Sequence, residues 1–114
     1  MPYIDAKFST PMTSAQETAL KEKLGKAIAI VPGKSEAWLM VGLQPSYTLY
    51  FKGTNDRPAA FIEVSVFGSE NKAAFSELTA AICDIFEDVL SIPADRVYVK
   101  YNTSTNWGWN RSNF

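Results

Sequence analysis

Histidine is absent from all 114 residues, and cysteine occurs once, at Cys83. Ser/His and Cys/His nucleophilic pairs are thereby excluded, together with an internal disulfide and a cysteine-rich zinc site. A general base must come from a carboxylate, a lysine, a tyrosine, the lone thiol or the chain's own amine. Pro2 bears on the last of these. Removal of Met1 gives Pro2 a free secondary amine. An α-amine ordinarily titrates near pH ~7.7–8.0, and an apolar pocket lowers that value by disfavouring the charged form. Such an amine is a base near neutral pH, where an ordinary lysine is protonated. Met-Pro is also a plain way to begin a strand, and the residues alone leave both readings open.

The elements that must position Pro2 follow from the apolar spacing. Ile4, Ala6 and Phe8 alternate with Tyr3, Asp5 and Lys7, which predicts a half-buried strand over 3–8. Thr13 with Gln16, or Ser14 with Glu17, has capping-box spacing. Ala15, Ala19, Leu20, Leu24, Ala27, Ile28 and Val31 follow at helical spacing, and Pro32-Gly33 stops that helix. On residue type alone, Lys34 is a solvated lysine at a helix C-terminus. Residues 37–43 read as a largely buried strand, and 47–51 as a short one before a turn at 52–57. Residues 59–67 make a long strand, with a turn marked by Gly68, Ser69 and Asn71. A second helix spans about 71–90, with Ala74, Leu78, Ala81, Ile82, Ile85 and Val89 as its stripe. Cys83 falls on that apolar side as a small buried hydrophobe. Residues 97–101 form a last strand, in which Tyr98 and Lys100 share the face opposite Val97, Val99 and Tyr101. Residues 102–114 form a tail rich in Asn, Ser, Thr and Trp.

The order is β-α-β-β followed by β-α-β, with the second unit repeating the first after roughly 58 residues. The fold class expected is α/β in the broad sense (α+β): one domain over 1–114, a four-stranded mixed sheet, and two helices on one face. The other sheet face, expected to carry Phe, Trp and Leu, needs cover from other subunits. The formal net charge is -1 and the basic residues are scattered, which argues against a nucleic-acid partner. There is no apolar run of membrane-spanning length and no signal-like start. A cytoplasmic location is the default expectation; secretion without a signal peptide stays open.

Pro2 at the start of a strand, Gly33-Lys34 after the first helix, Asp95-Arg96-Val97-Tyr98 entering the last strand, and Trp107-Gly108-Trp109-Asn110-Arg111-Ser112-Asn113-Phe114 at the end occur in order along the chain. Together they resemble the macrophage migration inhibitory factor family of the tautomerase superfamily, over the full length. The resemblance implies a homotrimer whose sheets form an inner barrel, with sites at subunit boundaries and no metal or cofactor. It implies keto–enol tautomerase activity on phenylpyruvate- or hydroxyphenylpyruvate-type acids, or on dopachrome analogues, with Pro2 as the proton shuttle. Lys34 then binds the substrate's acidic or carbonyl oxygens, and the Phe67 backbone N–H binds its carboxylate. Tyr98 enters from a neighbouring subunit, and Trp38, Trp107, Trp109 and Phe114 form rim and walls.

Departures from the family pattern are specific. Phe67 and Trp107 replace smaller aliphatic residues, Lys100 stands where asparagine is common, and Arg111 and Asn113 change the final motif. The thiol pair Cys-x-x-Cys of the mammalian member is replaced by Ala59-Ala60-Phe61-Ile62. The resemblance also implies a second role, as a cytokine-like protein that contacts a cell-surface receptor. Superfamily decarboxylases and dehalogenases generally add arginines or carboxylates to the pocket, and no clear extra acid is found here.

Overall fold

Alternation over the first residues produces strand β1, Pro2–Phe8, in which Ile4, Ala6 and Phe8 are buried. The computed structural model describes all 114 residues. Helix α1, Ser14–Ala27, starts at Thr13, whose hydroxyl accepts from the Gln16 N–H while the Gln16 side chain accepts from the Thr13 N–H. Of the two possible capping boxes, the earlier one forms. The helix passes into a 3₁₀ turn over Ile28–Ile30 rather than continuing to Val31. Strand β2 is Met40–Gln44, β3 is Ala60–Phe67, and helix α2 is Lys72–Leu90, capped by Asn71. Strand β4 is Val97–Ser104, and a small hairpin of β5, Gly108–Trp109, and β6, Ser112–Asn113, ends the chain.

The sheet order is β2-β1-β3-β4, with β1 parallel to β2, β3 parallel to β4, and β1 antiparallel to β3. This is the mixed sheet of two β-α-β units expected from the sequence. Both helices lie on one face. Leu20, Leu24 and Ile28 from the first unit and Leu78, Ile82 and Phe86 from the second are fully buried there. Phe8 meets Phe86 edge to face at 5.8 Å. Each such side chain stabilises the fold by about 1.5–3 kcal/mol through burial.

Four details differ from the sequence reading. Residues 37 and 38 lie in a 3₁₀ turn, Glu36–Trp38, so β2 starts later, and its residues are half-buried or exposed because it is an edge strand. Residues 47–51 form no strand. Only an isolated bridge joins Phe51 to Thr54, and Ser46, Lys52 and Gly53 at positive φ turn the chain away from a ladder. The open sheet face is mostly polar: Tyr3, Asp5, Lys7, Glu63, Ser65, Lys100 and Asn102 occupy it, with Phe61 and Tyr98 at one end and Met40 and Phe67 at the other. No Trp or Leu stands on that face, because Leu43 of β2 packs against the core and the others lie in helices, turns and the tail. Cys83 is half-buried rather than part of the core, and burial pushes its thiol pKa up. No helix is long and apolar enough to cross a membrane.

Candidate active site

Proline has no N–H to give a ladder, so within a strand it is tolerated at the first position. Pro2 occupies that position in β1, level with Val66 of β3, and it is buried. The pairing holds the start of the chain in place: the Phe67 N–H donates to the Met1 carbonyl at 3.0 Å. Gly33, at φ +79°, turns the chain after the first helical segment, where the Lys34 N–H bonds to the Val31 carbonyl, and sends Lys34 toward the same point. The Lys34 ammonium donates to the Phe67 carbonyl at 2.7 Å and lies 6.0 Å from the Phe67 ring centroid. The Met1 amine is held below its ordinary value of 8.0, first by burial, then by the Lys34 charge and its hydrogen bond. Lys34, Phe67 and the chain start therefore converge, although they are separated by more than thirty positions in sequence.

A cleft of about 740 Å³ opens beside Pro2, with Trp38, Met40, Trp107 and Trp109 on its walls. Lys34 and Phe67 line an adjoining depression of about 240 Å³ rather than this cleft. The aromatics form a continuous chain. Trp38 meets Trp109 edge-on at 5.2 Å, Trp109 stacks with Phe114 at 6.4 Å, and Phe114 meets Phe67 at 5.5 Å. The tail returns to the cleft through its hairpin, whose central residues Asn110 and Arg111 both have positive φ, as a type I′ turn requires. The Phe114 N–H then bonds to the Trp107 carbonyl at 3.1 Å. Such walls suit a flat ring and limit water around a base.

Tyr98 and Lys100 are not brought to Pro2 within one chain. Pro2 is level with Val66, and Val66 with Thr103. Tyr98 therefore lies five residues down β4, roughly 16 Å away at strand rise, and Lys100 roughly 10 Å away. Tyr98 is exposed at the opposite end of the sheet, beside Phe51 and Phe61. Other residues lining the cleft escaped the sequence reading: Tyr3, Met40, Ser65, Asn102 and Asn106. Alternation puts Tyr3, Ser65 and Asn102 on outward faces, but only the register Tyr3↔Ser65↔Asn102 makes them neighbours. No cluster of three or more His, Cys, Asp or Glu side chains able to hold a metal ion is present.

A family model described as macrophage migration inhibitory factor matches residues 1–114. The mouse (Mus musculus) macrophage migration inhibitory factor is 32% identical over 116 residues, covering 100% of this chain and 99% of the relative. The crystal structure of a macrophage migration inhibitory factor homologue from Prochlorococcus marinus is similar at a TM-score of 0.87 and 31% identity, over 98% of each chain. The solved structure of the Toxoplasma gondii macrophage migration inhibitory factor gives a TM-score of 0.90 and 27% identity, over 98% of this chain and 99% of the other. With this match along its whole length, the chain belongs to the macrophage migration inhibitory factor family of the tautomerase superfamily.

Proposed function

We propose that this protein is a keto–enol tautomerase acting on phenylpyruvate- or hydroxyphenylpyruvate-type acids, with the amine of Pro2 as its base once Met1 is removed. The observation that carries this reading is the convergence at the chain start. The Met1 carbonyl occupies the Phe67 N–H, and the Lys34 ammonium sits against the Phe67 carbonyl and the terminal amine. Loss of Met1 leaves a free backbone donor and a cation beside a buried secondary amine. An anionic oxygen can be held there while the amine takes a proton.

In the mechanism, the neutral Pro2 amine removes the proton α to the substrate carbonyl. The electron pair moves onto the carbonyl oxygen as an enolate. The Lys34 ammonium and the Phe67 N–H stabilise the anionic oxygens, a term that preorganised donors supply at low reorganisation cost. The Pro2 ammonium then returns the proton to oxygen, giving the enol. Ketonisation runs the same steps in reverse. The aromatic chain Trp38–Trp109–Phe114–Phe67 holds the ring. In a homotrimer, Tyr98 and Lys100 of one subunit complete the pocket of the next, which suits their position far from their own Pro2. Lys100 adds a second cation for acidic substrates.

The test is ketonisation of enol hydroxyphenylpyruvate by protein with a mature N-terminus, beside Pro2→Gly and a form carrying one extra N-terminal residue. The expected result is activity in the native form and loss of most of it in both others. A native form that is folded and inactive, or an extended form that keeps full activity, refutes the proline-base mechanism. A second reading is cytokine-like signalling through a receptor, with vestigial catalysis; the mouse relative's name, a factor inhibiting macrophage migration, accords with its signalling part. A protein with only that role binds its receptor unchanged as Pro2→Gly.

A further inference from the structure

Arg96 is the only polar or charged residue among the buried ones, at 3% exposure. No carboxylate lies within ion-pair distance of it. A buried cation without a counter-charge is costly unless its donors are satisfied. Here they are satisfied by main-chain oxygens of a single loop. Nε donates to the Pro58 carbonyl at 3.2 Å, Nη1 to Phe51 at 3.3 Å, and Nη2 to Arg57 at 2.9 Å. These three bonds are the only hydrogen bonds tying residues 48–58 to the rest of the chain; the others made there, between Phe51 and Thr54, are internal to the loop. The guanidinium carbon also lies 5.2 Å from the Phe51 ring centroid.

The Phe51 ring in turn meets Tyr98 edge to face at 5.0 Å, while Phe61 flanks Tyr98 at 6.4 Å. Arg96 closes the 3₁₀ turn Ala94–Arg96, and Tyr98 follows two residues later in β4. The same short stretch thus carries the exposed tyrosine and the buried cation that fixes the ring packed against it. The Tyr98 side chain makes no hydrogen bond, and the residue is 58% exposed. Its direction out of the sheet depends on Phe51 and Phe61.

We infer that Arg96 is a positioning residue: by pinning the 51–58 loop and its Phe51 ring, it fixes the direction of Tyr98, and through Tyr98 it sets how tightly a neighbouring subunit holds its aromatic substrate. The inference rests on the reading above that Tyr98 completes a neighbour's pocket. It adds a residue that touches no substrate and lies at the end of the sheet away from its own Pro2.

The experiment is a double-mutant cycle on the full-length, mature protein, measuring kcat and KM for enol hydroxyphenylpyruvate. The variants are Arg96→Lys, Tyr98→Ala and the pair combined. A lysine keeps the charge but lacks the planar fork that reaches three carbonyls. Arg96→Lys is expected to raise KM about threefold to tenfold, the scale of one lost aromatic contact, with a smaller change in kcat. In the Tyr98→Ala background the same change is expected to have no further effect. Amide exchange should quicken within 48–58 and stay unchanged in β1 and β3. Phe51→Leu keeps the loop's three bonds and is expected to raise KM to a similar degree, which carries the test if Arg96→Lys fails to fold. An equal effect of Arg96→Lys with and without Tyr98, or a folded Arg96→Lys or Phe51→Leu of native KM, overturns the positioning role. Native KM in Tyr98→Ala overturns the reading of Tyr98 itself, and this inference with it.

Discussion

Replacing Lys34 by methionine separates the two tasks assigned to its charge. Methionine keeps an unbranched stem near the Phe67 ring but loses the ammonium that donates to the Phe67 carbonyl at 2.7 Å. The first task is to hold an anionic substrate oxygen. A charge-assisted bond of this kind contributes about 1.5–3 kcal/mol, which corresponds to roughly a 10- to 150-fold loss in kcat/KM. The loss belongs to substrates with a free carboxylate, so a methyl ester should lose only a few-fold. The second task is to lower the pKa of the base. A neutral amine is the active form, so kcat/KM rises with pH through the amine's pKa. Burial first and the Lys34 charge second depress the amine at the start of the chain, and the same two causes act on the Pro2 amine once Met1 is gone. Removing Lys34 removes the like charge and leaves the burial. The acid limb should therefore move to higher pH. The assay is a pH profile of kcat/KM for wild type and Lys34→Met with acid and ester substrates. A limb that stays fixed or moves to lower pH, or an equal loss for acid and ester, would refute the reasoning.

Two further substitutions probe the scaffold. Phe86 is fully buried against Phe8, and Phe86→Ala should cost about 3–5 kcal/mol, read as a lowered urea midpoint with unchanged slope at fixed protein concentration. A cost under about 1 kcal/mol would displace Phe86 from the core. Arg111 holds φ +75° in the second central position of the hairpin turn, where glycine is preferred after asparagine. Arg111→Gly should therefore stabilise the hairpin by up to ~1 kcal/mol, seen as slower amide exchange in Trp109 and Ser112, and faster exchange would contradict the turn assignment.

The fold was legible in the sequence wherever one face of an element is buried. β1 and β3 alternate strictly, and both helices carry caps and stripes, so their limits were readable to within a few residues. β2 was misplaced at its start because an edge strand with half-buried residues gives no clean alternation, and Ala37 and Trp38 continue its apolar run into a 3₁₀ turn. The segment 47–51 has strand-like composition, but positive φ at Ser46 and Lys52 overrides it. At the site, Pro2, Lys34 and the tryptophans could be named from residue type and resemblance. Tyr3 and Asn102 could not, and Arg96 could be quoted within its motif but not given a role. Their importance comes from cross-strand register and from where a loop folds back, and neither has a local signature.

The internal repeat explains why each chain builds one such site rather than two. The units coincide at a constant offset of about 58 residues: β1 begins at Pro2 and β3 at Ala60, α1 at Ser14 and α2 at Lys72, and the 3₁₀ turns are Glu36–Trp38 and Ala94–Arg96. At that offset Pro2 corresponds to Ala60, Lys34 to Ile92, Trp38 to Arg96 and Met40 to Tyr98. Ala60 is in mid-chain, so its nitrogen is an amide and carries no basic lone pair. Ile92 is fully buried, so no cation stands where the first unit has Lys34. The second unit thus keeps the geometry of the first but lacks both the proposed base and the proposed anion holder. Arg96, at the place of Trp38, turns its donors to the loop instead of lining a cleft. Tyr98, at the place of Met40, is left exposed at that end of the sheet, where a second subunit can receive it. Under the proposed function, the two ends of one sheet would supply complementary halves of a pocket, and assembly of copies would join them.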